Sequence, residues 1–272
     1  QTPFVITIHD ASLFIYSHCH PRTRLLSIRL ALPFVARRAA AVITVSEHAR
    51  QDLIRILGLP PEKVHVVYAA APEHFAPVCD AHDLASVRRK YGLPAQFLLY
   101  VGTLEPRKNL RRLVRAMRQI RQYGLPHKLV LVGATGWQIE ELYREIEAQE
   151  MKDDVLFTGY VPDEDLPALF SLATLFVFPS LYEGFGLPPI EAMACGAPVL
   201  SSNRSSLPEV CGDAAYLVNP EDEEELVDAL VALLSDGARR AEMTARGLKR
   251  AGTFSWRRAA RETASIYRSV VQ

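Results

Sequence analysis

The chain has 272 residues, 49% of them hydrophobic and 23% charged, with Lys plus Arg and Asp plus Glu equal at 31 each. Such a composition fits a globular chain of about two domains with a full core, and the balanced charge gives no argument for a nucleic-acid partner; none is expected. No apolar run approaches the roughly 20 residues of a membrane span, which excludes a spanning helix.

The opening QTPFVITIHD lacks an initiating Met and enters directly on a strand, as expected of a trimmed chain without a signal peptide. Residues 4–8 form that strand and end at His9-Asp10, and 11–21 are expected to be a loop. Residues 22–40 carry Arg22, Arg24, Arg29, Arg37 and Arg38 among Leu, Ile and Val at helical spacing. This stretch is either a solvated face or a helix that rests on an anionic membrane surface. A strand at 41–45 follows. Ser46 is the expected N-cap of a helix that stops at Gly58, and 63–67 are a further strand.

Residues 69–82 have no periodicity and are expected to link two domains. After a helix at 83–91 the chain alternates regularly. Strands are expected at 97–102, 128–133, VLFTG up to Gly159, 174–178, 197–201 and 214–218. Helices fall at 109–123, 137–149, 164–171, 222–235 and 236–250, with one opening after Gly186 and a short turn near 207–211. Strands that are apolar nearly throughout and alternate with helices imply a parallel sheet covered on both faces. A last helix follows Ser255. Ligands of such sheets sit beyond the carboxyl ends of the strands, where His9, Gly102, Gly133, Gly159 and Pro179 lie.

The stretch PSLYEGFGLPPIEAMACGAPV, 179–199, places Glu183 and Glu191 on either side of a glycine turn that opens a helix. A helix N-terminus offers free N–H groups and a positive dipole end to an anion such as phosphate. Two carboxylates there suit either sugar-hydroxyl recognition or the acid/base pair of a glycoside hydrolase. In GTLEPRKNL, 102–110, Arg107 and Lys108 stand before a helix that Asn109 is expected to cap. Two cations there would neutralise a diphosphate or form a solvated basic turn. GATGW, 133–137, does not meet a dinucleotide fingerprint, and TGYV, 158–161, is either an ordinary turn or a backbone contact for a nucleobase. His9-Asp10 with His18, Cys19 and His20 fits no common zinc spacing. Cys19, Cys79, Cys195 and Cys211 form no CxxC pair and are expected as reduced thiols of a cytoplasmic protein.

Taken together, EGFGLPPIEAMACGAPV, VGTLEPRKNL, LFTGYVPDEDLPALFSLATLFVFPSLYEGFG and SSLPEVCGDAAYLVNPED resemble, in order, the retaining glycosyltransferases of family 4, once called glycosyl transferases group 1. VITVSEHARQDLIRILGLPPEKVHVVY and the closing FSW helix fit the same family. The resemblance implies an α/β fold of GT-B type, two Rossmann-like doubly wound parallel-sheet domains, the first only partly present. The expected division is 1–75, 76–252 and a helix at 253–272 that crosses back to the first domain. It also implies a hexosyl transfer from a nucleotide sugar, GDP-mannose favoured and UDP-glucose the second candidate, to a glycan or lipid-linked acceptor. No cofactor or metal is implied, and the site is cytoplasmic or peripheral at the inner membrane face. A donor-binding module without turnover is the alternative.

By resemblance, His9, Arg107, Lys108 and Glu183 form the catalytic set. Gly102, Thr103, Arg107, Lys108, Tyr160, Val161, Glu183, Gly184, Phe185, Gly186, Leu187 and Glu191 bind donor, Glu191 taking the ribose hydroxyls and Glu183 those of the sugar. Thr103 stands where the family often has an Arg, and Tyr68-Ala69-Ala70 replaces its Pro-Asn-Gly.

Overall fold

The computed structural model of the chain describes residues 2–19 and 22–271, and of residues 22–24, 26 and 27 the backbone alone. His20, weighed above as a metal ligand, lies outside the described residues, as do the side chains of Arg22 and Arg24.

The N-terminal unit runs β1 (Val5–Thr7), α1 (Ser12–Ile15), α2 (Arg22–Arg38), β2 (Ala41–Thr44), α3 (Glu47–Leu57) and β3 (Val64–Val66). Its strands are parallel in the order β1-β2-β3, with Val5 opposite Ala41 and Val42 opposite Val64. Local chemistry sets the limits of α3: the Ser46 hydroxyl accepts from the Ala49 N–H, and Gly58 turns left-handed at φ 62°. The segment expected as a loop at 11–21 holds α1 and a tight turn at Ser17–Cys19 instead. The Asp10 carboxylate accepts from the Ser12 N–H at 2.7 Å and starts that turn locally.

The C-terminal unit runs α4 (Ala81–Tyr91), β4 (Phe97–Val101), α5 (Leu110–Ile120), β5 (Lys128–Val132), α6 (Ile139–Ala148), β6 (Val155–Gly159) and α7 (Leu166–Leu172). It continues with β7 (Leu175–Phe178), α8 (Leu187–Ala194), β8 (Val199–Ser202), α9 (Leu207–Cys211), β9 (Ala215–Val218), α10 (Glu223–Ser235) and α11 (Gly237–Ala251). The expected short turn near 207–211 is thus helical. The sheet is parallel in the order β6-β5-β4-β7-β8-β9. Every residue of β4 and β7 is buried, as strands covered on both faces require. Helices α5, α6 and α10 pack together on one side, and α4, α7, α8 and α11 on the other.

The winding reverses between β4 and β7. The chain proceeds outward through β5 and β6, then returns to lay β7 on the other side of β4. A crevice opens at such a switch point because the loops after the two central strands diverge. Here those loops are 102–109 and 179–186, the two stretches richest in candidate residues. The last helix, α12 (Trp256–Val271), leaves the C-terminal unit and packs Ala259 against Ile43 of β2 and Val67, just after β3.

Candidate active site

Lys108 and Glu183 meet at the switch point. The Lys108 Nζ donates to Glu183 Oε1 at 2.6 Å, and an Arg107 nitrogen lies 3.1 Å from Glu183 Oε2. Ser180 adds a hydroxyl donor to the same carboxylate at 2.5 Å. Burial pushes the Glu183 carboxyl upward, and the Lys108 and Arg107 charges outweigh it, so the group is held below its ordinary range. Arg107 is fixed in turn by Glu105 at 2.6 Å and by the Tyr182 carbonyl. Burial works against its charge, and Glu183 and Glu105 more than offset this. The Arg107 Nε is buried without a partner among the described residues. Two cations and two carboxylates are therefore assembled in one cluster. The Arg107 and Lys108 side chains each keep 11% of their surface exposed.

The cap expected of Asn109 is absent. This residue adopts φ 60° between a tight turn at Pro106–Lys108 and α5, and its side-chain amide donates to the Pro220 carbonyl at 2.6 Å. That left-handed kink reverses the chain after Lys108 and leaves the lysine pointing back to Glu183.

The loop from 183 to 187 forms one wall of a cleft of about 720 Å³ between the two units. His9 and Asp10, at the carboxyl end of β1, stand on the opposite wall, and α12 closes one side. The glycines of this loop have different reasons. Gly186 has φ 102°, a conformation that strains any side chain. At Gly184 the close approach is to protein: a Cβ there would lie 2.5 Å from the His9 carbonyl oxygen. Phe185 is buried against Tyr68 and Phe254, and its carbonyl accepts from the Ser206 hydroxyl at 2.8 Å.

Glu191 sits apart from the ion-pair cluster, in the second turn of α8. Among the described residues no donor or cation reaches its carboxylate. Burial, with the Asp163 charge added, pushes its carboxyl up to about 7. Asp163 belongs to the loop after β6 that carries Tyr160 and Val161. Tyr160 is 73% exposed, whereas Val161 is buried. Gly102 and Thr103 follow β4; the Thr103 carbonyl accepts from the Tyr100 hydroxyl at 3.2 Å. The structure thus joins Arg107, Lys108 and Glu183 directly. It sets His9 across Gly184 from them and leaves Glu191, Tyr160 and Val161 outside that cluster.

Several neighbours were not singled out from sequence. Glu105, Ser180 and Ser205 surround the cluster, Ser205 accepting from the Glu183 N–H at 2.8 Å. Glu105 and Ser180 lie inside stretches that were singled out, and their buried partners were the missing signal. Among the described residues, Asp80, His82 and Asp83 are the one group with metal-ligand proximity. They are exposed at the start of α4, where Asp80 already caps the helix.

Residues 86–250 match the family profile described as Glycosyl transferases group 1, and residues 1–72 match Glycosyltransferase Family 4. The chain belongs to the group 1 glycosyltransferases. O-antigen chain mannosyltransferase B of Escherichia coli is 38% identical to this glycosyltransferase over 266 residues, covering 97% of this chain and 70% of the relative. A sucrose-phosphate synthase from Thermosynechococcus elongatus superposes with TM-score 0.82 at 28% identity, covering 98% of this chain and 67% of that one. Anabaena Alr3699/HepE, solved with UDP and glucose, shares the fold with TM-score 0.85 at 23% identity, covering 98% of this chain and 72% of its own. The architecture of this glycosyltransferase is that of GT-B enzymes.

Proposed function

We propose that this glycosyltransferase moves a mannosyl residue from GDP-mannose to a glycan or lipid-linked acceptor with retention of anomeric configuration. The observation that carries the reading is the Lys108–Glu183–Arg107 cluster at the switch point, whose Glu183 lines the same cleft as His9. The identity to a relative named as a mannosyltransferase supports the sugar. Division near residues 75 and 252 belongs to the same reading, with donor held by the C-terminal unit.

In this mechanism the acceptor oxygen attacks the anomeric carbon from the face that the diphosphate leaves. The bond from that carbon to the β-phosphate oxygen breaks, and the acceptor proton passes to the leaving phosphate. Lys108 and Arg107 exchange part of their pairing with Glu183 for the diphosphate and stabilise its growing charge. Glu183 then accepts from sugar hydroxyls, Glu191 from the ribose, and His9 positions the sugar. The two cations supply the countercharge, so the reading includes no metal. With GDP-α-mannose and octyl α-mannoside as acceptor, proton NMR of the first-formed product is expected to show an α linkage. A β linkage would overturn retention.

The same reading places the protein at the cytoplasmic face of the inner membrane. None of the described helices is long and apolar enough to cross a bilayer. Helix α2 presents Leu30 at 72% and Phe34 at 64% exposure, one helical turn apart, and its sequence has arginines and no acidic residue. Such a face suits an anionic lipid surface. Flotation with phosphatidylglycerol vesicles is expected to recover the protein, and Leu30→Ser/Phe34→Ser to abolish recovery. Equal recovery on pure phosphatidylcholine would contradict the charge component.

A further inference from the structure

Glu183 is the middle of three consecutive residues held from opposite sides. Its carboxylate is fixed by groups of the C-terminal unit. Its two neighbours are fixed by α3 of the N-terminal unit. The Tyr182 hydroxyl donates to Asp52 at 2.8 Å, and the Gly184 carbonyl accepts from the Ser46 hydroxyl at 2.6 Å.

Both α3 groups are prepared for this contact. Asp52 is 5% exposed, with Arg55 at 2.5 Å and His48 at 3.4 Å. Burial raises its carboxyl, but the bonds from His48, Arg55 and Tyr182 prevail and bring it down to about 2, so the acceptor is a full anion. The Ser46 oxygen accepts from the Ala49 N–H as the helix cap, which leaves its proton for Gly184. Neither bond belongs to the ladder of either sheet. Each joins the two units at the segment that carries the candidate carboxylate.

We propose that Asp52 and Ser46 are positioning residues for sugar transfer. By drawing Tyr182 and Gly184 against α3 they hold Glu183, and through it Lys108 and Arg107, at a fixed distance from His9. This inference rests on the glycosyl-transfer reading and extends it to the N-terminal unit, which then contributes to the geometry of the donor loop. Fixing the reacting groups before reaction lowers the barrier without changing how the nucleotide is held.

Tyr182→Phe removes the hydroxyl and keeps the ring against Tyr16 and His48. With GDP-mannose and octyl α-mannoside, kcat is expected to fall by about tenfold or more while the affinity for GDP stays within about twofold. Asp52→Asn, which retains an acceptor oxygen, is expected to keep more activity than Asp52→Ala. Adding Tyr182→Phe to Asp52→Ala is expected to cost at most about twofold further in kcat, because the bond to Asp52 at 2.8 Å is already gone and only the long 3.4 Å bond from the Ala11 N–H remains to be lost. Amide hydrogen exchange across 180–186 is expected to quicken in Tyr182→Phe and to stay unchanged in β4 and β5. Unchanged kcat and exchange in Tyr182→Phe would overturn the positioning role, as would equal losses in kcat and GDP affinity. Wild-type protein that binds neither GDP nor GDP-mannose would overturn the glycosyl-transfer reading and this inference with it.

Discussion

Lys108→Ala is expected to lower kcat/KM for sugar transfer by about 100- to 1,000-fold, the range seen when a single preorganised donor to a developing negative charge is removed. Its Nζ is 2.6 Å from Glu183 and sits over the Phe178 ring at 5.3 Å, so its position is set by the fold. Removing one partner of a buried ion pair costs about 3–5 kcal/mol when the other is left alone. Here Arg107 remains 3.1 Å from Glu183, which places the stability loss toward the lower end. The double change Lys108→Ala/Glu183→Ala separates the two effects. It is expected to recover most of the stability in urea unfolding and none of the activity. A single variant that keeps kcat/KM within about threefold would show that the cluster serves the fold alone.

Glu191→Gln is expected to stabilise the protein near pH 8 and to weaken donor binding there. The carboxyl titrates at about 7 in the folded chain against an ordinary 4.5. Below pH 4.5 it is protonated in both states and contributes nothing. As pH rises from 4.5 to 7 the unfolded chain loses this proton first, so the folded state loses stability; above 7 the full cost of about 3 kcal/mol remains. The amide cannot ionise and escapes that cost. Ribose hydroxyls donate best to the anion, so wild-type affinity for GDP is expected to rise between pH 6 and 8 and then level off. Calorimetry across that range tests the sign. An affinity independent of pH, or one that falls, would remove Glu191 from the ribose site.

Elements fixed by neighbours in the chain were legible. Ser46 and Gly58 bound α3 as their cap chemistry implies, and the buried runs of β4, β5 and β7 formed a parallel sheet. Two local details were not. Asp10 starts a turn within the expected loop, and Asn109 turns left-handed and does not cap α5. From the residues alone the candidate site was legible as two stretches, 102–110 and 179–199, and only the resemblance joined them into one set. Their meeting depends on the reversal between β4 and β7, which no local pattern records. The bond from Tyr182 to Asp52 spans 130 positions, and that from Ser46 to Gly184 spans 138. A cap residue with a second partner in another unit looks, in sequence, like any other cap.

The most direct measurement is calorimetric titration of the protein with GDP-mannose and UDP-glucose at pH 8, beside Glu191→Ala. Saturable binding of GDP-mannose, tighter than of UDP-glucose and weakened about 10- to 100-fold by Glu191→Ala, is the expected result for a carboxylate that accepts from ribose hydroxyls. Binding of neither sugar nucleotide, or GDP-mannose affinity untouched by Glu191→Ala, would contradict a donor site at the β4–β7 switch point.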